Sequence, residues 1–326
     1  MTSHKPKILV TGAGGQIGSA LTPKLRSRFG EERVIASDIR DDIAPELRDS
    51  GPYLKLDVTE PAEIRRIVQE HGIDIIYHMS AILSAKGEKH PQLAWNVNIN
   101  GTHHILEAAR ELGVKRIFVP SSIAAFGSET PRDHTPQETI LRPKTMYGVT
   151  KVAGELLCDY YVLHYGLDVR GCRYPGIISH ETLPGGGTTD YAVEIFYAAV
   201  KHQKFTCFLN PDTRLPMMYM PDCLKATCRL MEADLKNLVH HSDFNISGMN
   251  FTPQELAAEI KRHIPKFHIA YEPDYRQQIA ETWPRSIDDS AAREEWGWEP
   301  SYDLAAMTAD MLQVLDERLS RGQLNY

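Results

Sequence analysis

Tyr147 and Lys151 stand four residues apart, downstream of a run of closely spaced glycines, Gly12, Gly15 and Gly18, with Gly14 among them. On a helix, side chains four apart share one face. A phenol with an ordinary pKa near ~10 is a poor base at neutral pH. A neighbouring ammonium favours the phenolate and makes it a better one. The glycines permit a tight turn, close approach of backbone to phosphate, and close packing of helix on strand. Either pattern alone is common. Together, and in this order, they point to nicotinamide redox chemistry on a hydroxyl group.

Gly12, Gly15, Gln16, Ile17 and Gly18 form the expected pyrophosphate cradle, because they fall where a strand should turn into a helix. A purely structural turn is the alternative. Asp38 follows at the end of the next expected strand, where a carboxylate accepts from the adenosine ribose and repels a 2′-phosphate. That favours NAD over NADP, with Arg40 close by as the opposing feature. Asp57 and Val58 are candidates to contact the adenine, with a plain turn as the competing role. Tyr174, ending a later strand, is assigned to the cofactor side. Lys151 is placed to reach a ribose hydroxyl, and the bland alternative for the Tyr147–Lys151 pair is an exposed helix pair. Ser122 could bind the substrate oxygen and settle the tyrosine proton. Ser121 is the competing choice, although strand alternation turns the two side chains to opposite faces.

The elements that must position these groups alternate strand and helix. Strands are expected at Lys7–Thr11, Val34–Asp38, Tyr53–Asp57, Ile73–His78, Arg116–Ser122 and Val169–Tyr174, and helices at Ile17–Phe29, Pro61–His71, Trp95–Leu112 and Tyr147–Tyr165. The pattern predicts an α/β protein, a Rossmann-type doubly wound parallel sheet with a smaller C-terminal substrate-binding lobe. Residues 1–175 are expected to be mainly the NAD-binding domain. Residues 176–326 are expected to be mainly the substrate-binding lobe, with some segments returning to the first domain. After Pro175 come a polar loop at Gly185–Thr189, a helix near Ala192–Lys201, a short strand within Pro211–Pro221 and a helix at Gln254–His263. These later pieces are expected to cap the carboxyl edge of the sheet.

Composition narrows the class further. The 326 residues carry 36 basic and 43 acidic side chains, a formal charge of -7 spread without long runs. Such a surface repels nucleic acid and anionic membranes, so neither is expected as a partner. No apolar stretch is long enough to span a bilayer. Cys158, Cys172, Cys207, Cys223 and Cys228 are odd in number and irregular in spacing. They predict no disulfide framework, small buried side chains, no metal site and a reducing compartment. His103–His104 and His240–His241 are expected on helix surfaces or in loops. The first strand begins almost at once, leaving no room for a signal or transit peptide, so a cytoplasmic location is expected.

The residues together resemble the extended branch of the short-chain dehydrogenase/reductase superfamily. The resemblance runs over nearly the whole chain: Asn98–Thr102, Ser121–Ser122, Tyr147–Lys151, Tyr219–Asp222, and a closing Trp296-Gly297-Trp298-Glu299-Pro300. It implies a catalytic set of Ser122, Tyr147 and Lys151, with Asn98 supporting a proton relay. It also implies a homodimer built on the Tyr-Lys helix and the long helix before it.

Most extended members act on nucleotide sugars, and a nucleotide-sugar epimerase or dehydratase is the alternative reading here. Epimerases typically carry Arg-Tyr-Phe-Asn where this chain has Arg173-Tyr174-Pro175-Gly176, so an amide that helps bind the substrate diphosphate is missing. Instead Arg173–Ser179, Gly185–Ala192, His78–Ala85 and Ile279–Pro284 are similar to the short-chain-type L-threonine 3-dehydrogenases. That resemblance implies NAD-dependent oxidation of L-threonine, or a similar small 3-hydroxy amino acid, at the 3-hydroxyl. Ser84, Thr188 and Thr189, beside Ser122 and Tyr147, are then the groups that grip the zwitterion, and Trp283 covers the pocket. Ser84, Thr188 and Thr189 could instead cap helices or satisfy loops, and Trp283 could be plain core.

Overall fold

The computed structural model describes residues 5–183 and 185–324. Its first half alternates as the spacing predicts: β1 (Ile8–Thr11), α1 (Gln16–Phe29), β2 (Val34–Asp38), α2 (Pro45–Asp49), β3 (Tyr53–Lys55), α3 (Pro61–His71) and β4 (Ile75–His78). With β5 (Arg116–Phe118) and β7 (Val169–Arg170), these strands build an all-parallel sheet in the order β3-β2-β1-β4-β5-β7, while β6 (Ser121–Ser122) pairs outside it. The chain runs outward from β1 to β3 and then returns to β4 on the other side of β1. That reversal opens a crevice at the carboxyl ends of β1 and β4, where ligands bind in such sheets. Side chains alternate across β1: Leu9 packs with Ile64, Ile105 and Ile117 on one face, Ile8 and Val10 with Leu21 and Phe244 on the other.

Two expected strands are each broken in the middle, for identifiable reasons. Arg116–Ser122 divides at Val119–Pro120, since proline has no N–H for the ladder. Val169–Tyr174 divides at Gly171 into β7 and β8 (Cys172–Tyr174). A Cβ at Gly171 would stand 2.2 Å from the Val119 carbonyl and 2.7 Å from that of Ser242. β6 pairs with β8 past the two breaks.

The long helix expected from Trp95 to Leu112 is present and unbroken: it begins earlier, at Pro91, as α5 (Pro91–Trp95), passes through a π-helical turn over Asn96–Asn100 and continues as α6 (Gly101–Leu112), with a separate short α4 (Ser84–Lys89) before it. Next, α7 (Met146–Tyr165) starts at Thr145, whose hydroxyl accepts from Gly148 N, and stops at Gly166 with φ 67°.

The second half contains β9 (Gly176–Ile178), α8 (Tyr191–His202), β10 (Lys204–Cys207), β11 (Leu215–Tyr219), α9 (Met220–Glu232) and β12 (Phe244–Asn245). It continues with β13 (Met249–Phe251), α10 (Pro253–His263), β14 (His268–Tyr271), α11 (Tyr275–Ala280), α12 (Ser290–Trp296) and α13 (Leu304–Ser320). β12 returns to pair with β8 at the edge of the main sheet. Met220, Phe244 and Trp296 pack on the same side of that sheet as Leu21. The rest forms a lobe with a core of its own, including Phe196, Leu215, Phe267 and Met311. All five cysteines are free and buried. Among the described residues no helix is long and apolar enough to cross a membrane.

Candidate active site

The glycine turn is the floor of the crevice. Gly12 has φ 64°, and a Cβ there would meet Ser80 N at 2.7 Å. At Gly18 a Cβ would stand 2.3 Å from the Gly12 carbonyl, so β1 and α1 approach as closely as they do only without a side chain. Gly15 differs, since its added Cβ would meet only the Gly12 carbonyl, at 3.3 Å. It is the N-cap of α1, with no side chain capping the helix. The first N–H groups of a fourteen-residue helix therefore face open space, an arrangement that suits a pyrophosphate.

Asp38 is buried beside this turn. Its carboxylate accepts from Gly14 N at 2.9 Å and from Arg40 N and Nε, both at 3.1 Å. Asp57 accepts from the backbone and hydroxyl of Thr59, at 2.9 and 2.8 Å. Val58 is buried against Gly101. Asp38, Asp57 and Val58 lie outside the lining of the cleft described next.

An open cleft runs from the glycine turn to the C-terminal lobe. Gly12, Gly15, Gln16, Ile17 and Gly18 line one end. Ser122, Tyr147 and Lys151 line its middle beside Tyr174, and Ser84, Thr188, Thr189 and Trp283 its far side. Tyr174 turns its hydroxyl away, to Thr227.

Tyr147 and Lys151 occupy the first two turns of α7. Gly148 lets this helix dock on the turn after β6, because a Cβ there would stand 2.3 Å from the Ala124 carbonyl. The docking brings the Tyr147 phenol and the Ser122 side chain to the same stretch of the cleft wall. Ser121, one residue earlier, donates instead to Glu155. Lys151 Nζ lies 5.4 Å from the Tyr147 ring centre and donates to the Pro120 carbonyl at 2.7 Å. Burial pushes the Tyr147 phenol up to about 12, against the opposing pull of the nearby Ser122 hydroxyl. Burial also brings the Lys151 ammonium down to about 8, with Glu155 acting the other way.

Asn98 sits in the π-helical turn, with its amide fully engaged. Its Oδ1 accepts from Ile82 N at 2.7 Å, and its Nδ2 donates to Ile82 O at 3.1 Å and to Thr150 Oγ1 at 3.0 Å. It does not line the cleft.

Two acidic residues near the site escape a reading of the sequence. Asp190 lines the cleft, and its carboxylate accepts from Gly186 N at 2.8 Å and from Gly187 N at 2.5 Å. Its signal was an acid directly after a glycine-rich loop and before a helix. Glu155 is buried one turn beyond Lys151. Its signal was the four-residue spacing to the lysine. His240, in a loop, contacts Glu295, and His104 contacts the Val58 carbonyl at 3.2 Å. Among the described residues no cluster of three potential metal ligands occurs.

The chain matches the model of the NAD dependent epimerase/dehydratase family over residues 8–247. It is 50% identical to the mitochondrial L-threonine 3-dehydrogenase of Bos taurus, over 99% of this chain and 86% of that protein. Among solved structures it is similar to the holo form of a GalE-like L-threonine dehydrogenase from Cupriavidus necator, with 52% identity and a TM-score of 0.93, covering 95% of this chain and 100% of that one. It is also similar to a monomeric L-threonine 3-dehydrogenase from a metagenome, with 49% identity and a TM-score of 0.91, covering 95% and 99%.

Proposed function

The chain belongs to the NAD dependent epimerase/dehydratase family, within the extended short-chain dehydrogenase/reductases, and we infer that it is an NAD-dependent L-threonine 3-dehydrogenase. It converts the 3-hydroxyl of L-threonine to the ketone of L-2-amino-3-ketobutyrate. One observation carries the choice over a nucleotide sugar. Gly176 stands where the epimerases carry asparagine, and a Cβ there would meet Met217 Sδ at 2.4 Å and Thr189 at 2.8 Å. The residue that would bind a diphosphate has no room, and the space is taken by the Thr188–Thr189 side of the cleft.

The residues of the cradle fit NAD, with α1 and Gly15 at the pyrophosphate and Asp38 near the adenosine ribose. When bound, NAD supplies a hydride acceptor at nicotinamide C4. The chain's own groups do the rest. Ser122 holds the substrate oxygen, and Tyr147 takes its proton as the C–H bond breaks. Lys151 makes the phenolate accessible, and base catalysis of this kind is worth ~10²–10⁴ in rate. Ser84, Thr188 and Thr189 grip the zwitterion, and Trp283 closes the pocket against water. Asn98 acts through Thr150 and the backbone of Ile82 rather than by contact with the reactants. The lobe after residue 175 supplies the substrate side, and residues 1–175 the cofactor side.

The assembly is a homodimer through α6 and α7. Its support is an unpartnered apolar stripe on α7, described below. The free, buried cysteines suit a reducing compartment, and we assign the protein to the cytoplasm on that ground. Cell fractionation tests that placement.

The deciding experiment compares NADH formation from NAD with L-threonine, D-threonine, L-serine and no substrate. NADH with L-threonine well above the others is expected. A folded, NAD-binding sample that gives none with L-threonine overturns the reading and moves the nucleotide-sugar alternative forward.

A further inference from the structure

A smaller pocket, with little more room than a water molecule needs, shares Ala81, Pro120, Ser121 and Lys151 with the cleft. Its remaining wall includes the polar side chains of His78, Asn98, Thr150, Glu155 and Ser242. Glu155 is the only carboxylate in that wall. It lies four residues after Lys151 on α7, so both side chains project from one side of the helix. It is also clamped. Arg173 Nε and Nη2 donate to its two oxygens at 2.9 and 2.8 Å, and Ser121 Oγ donates as well.

We propose that Glu155 is a positioning residue for the oxidation, its clamped carboxylate holding Lys151 in the cationic form that the Tyr147 base requires. The inference rests on the role given to Lys151 above. Arg173 offsets the carboxylate's effect only in part, because its guanidinium is shared with other acceptors. It also donates to the Gln137 carbonyl and Asn245 Oδ1, at 3.0 and 3.2 Å, and reaches Asp243 at 3.4 Å. The other titratable groups around the pair do not replace Glu155. His78, on β4, is kept neutral by burial and by Lys151 itself. Burial raises the pKa of both Tyr147 and Cys158, on α7, so neither sets a negative charge beside Lys151 before substrate binds. Asp159 faces Ser242 and feels Asp243 and His241, on the far side of Glu155. From the π-helical turn and α6 only the uncharged Asn98 and Thr102 reach the cavity.

The test reads Lys151 directly. Full-length protein carrying ¹³C at lysine Cε is titrated by NMR, and the Lys151 signal is the one lost in Lys151→Met. In Glu155→Gln its midpoint should fall by about one pH unit. Glu155→Asp, which keeps the charge, should stay near wild type. Should Glu155→Gln fail to fold because Arg173 is left unpaired, the double variant Glu155→Gln/Arg173→Gln restores amide pairing, and the midpoint should fall there too. In NADH formation from L-threonine, the high-pH limb of kcat should move down in parallel, with KM changed less than about twofold. An unchanged midpoint in the folded Gln variants overturns the proposal. The titration needs no substrate. A wild type silent on L-threonine therefore counts against the reaction assigned above while the Lys151–Glu155 coupling is still read.

Discussion

Lys151 Nζ donates to the carbonyl of Pro120 at 2.7 Å, across the gap that separates β5 from β6. The proline that interrupts the strand thus leaves a carbonyl free of the ladder, and the buried ammonium takes it. The arrangement has an energetic cost. Lys151 titrates at about 8 in the folded protein, against an ordinary value of 10.5. Below pH 8 folded and unfolded chains both hold the proton, and the full penalty of burying the cation applies. Between 8 and 10.5 the unfolded chain holds a proton that the folded chain has released, so stability rises with pH. The penalty is about 3 kcal/mol, and the hydrogen bond to Pro120 returns about 1. Lys151→Met should therefore be more stable than wild type at pH 7 by about 1–2 kcal/mol. The gap should close as pH rises from 8 to 10. Urea unfolding of both proteins across that range checks this, and a gap independent of pH would refute it.

Tyr147→Phe removes one oxygen from a side chain that lines the cleft beside Ser122. The ring keeps its place because α7 is fixed by Gly148 and Thr145, not by the phenol. NAD affinity should stay within about twofold of wild type, while kcat falls by ~10²–10⁴. Calorimetric binding and steady-state kinetics on the same preparation separate the two. Retained turnover would remove Tyr147 from the role of base.

The parts of the fold legible in the sequence are those whose cause is local. β1 and the helix after it announce themselves by an apolar run, glycines and a helical stripe. The helix over 61–71 begins at Pro61 and ends at a left-handed Gly72, both local signals. The break at Gly171 was not legible, because its cause is the Val119 and Ser242 carbonyls, brought close only by folding. The π-helical turn holding Asn98 was hidden for the same reason, since its partners are Ile82 and Thr150. At the site, spacing within one helix made Tyr147 and Lys151 visible. Glu155 is not legible, because a lone glutamate on a helix is usually solvated, and only Arg173 from a distant strand reveals it as a buried partner.

Two glycines in the cradle should behave differently when given a methyl group. At Gly18 the added Cβ meets the Gly12 carbonyl at 2.3 Å and Ala13 Cα at 2.9 Å, both backbone atoms that cannot rotate away. Gly18→Ala should lose about 1–3 kcal/mol of stability as well as NAD affinity. At Gly15 the only neighbour is 3.3 Å away, so Gly15→Ala should fold normally. Its methyl instead occupies space beside the helix N-terminus, and NAD binding should weaken about tenfold or more. Thermal melts with and without NAD distinguish the two. An NAD-induced rise in Tm that survives in Gly15→Ala would place the pyrophosphate elsewhere.

Val149, Leu156, Tyr160 and Leu163 are exposed on α7, Leu163 at 80% and Leu156 at 65%. At ~100° per residue they fall within a stripe about 60° wide, on the side of the helix opposite Tyr147 and Lys151. One helix therefore presents its polar working face to the cleft and an apolar face to solvent. A large exposed apolar stripe on a soluble protein marks an association surface. In a two-fold assembly the same stripe would meet its own copy. Sedimentation at micromolar concentration should show a dimer for wild type. The double variant Leu156→Glu/Leu163→Glu should be monomeric, since four buried carboxylates in a symmetric interface have no partners. The cleft lies on the other face, so the monomer should bind NAD with affinity close to wild type. A wild type that sediments as a monomer would refute the assembly and leave the stripe without an occupant.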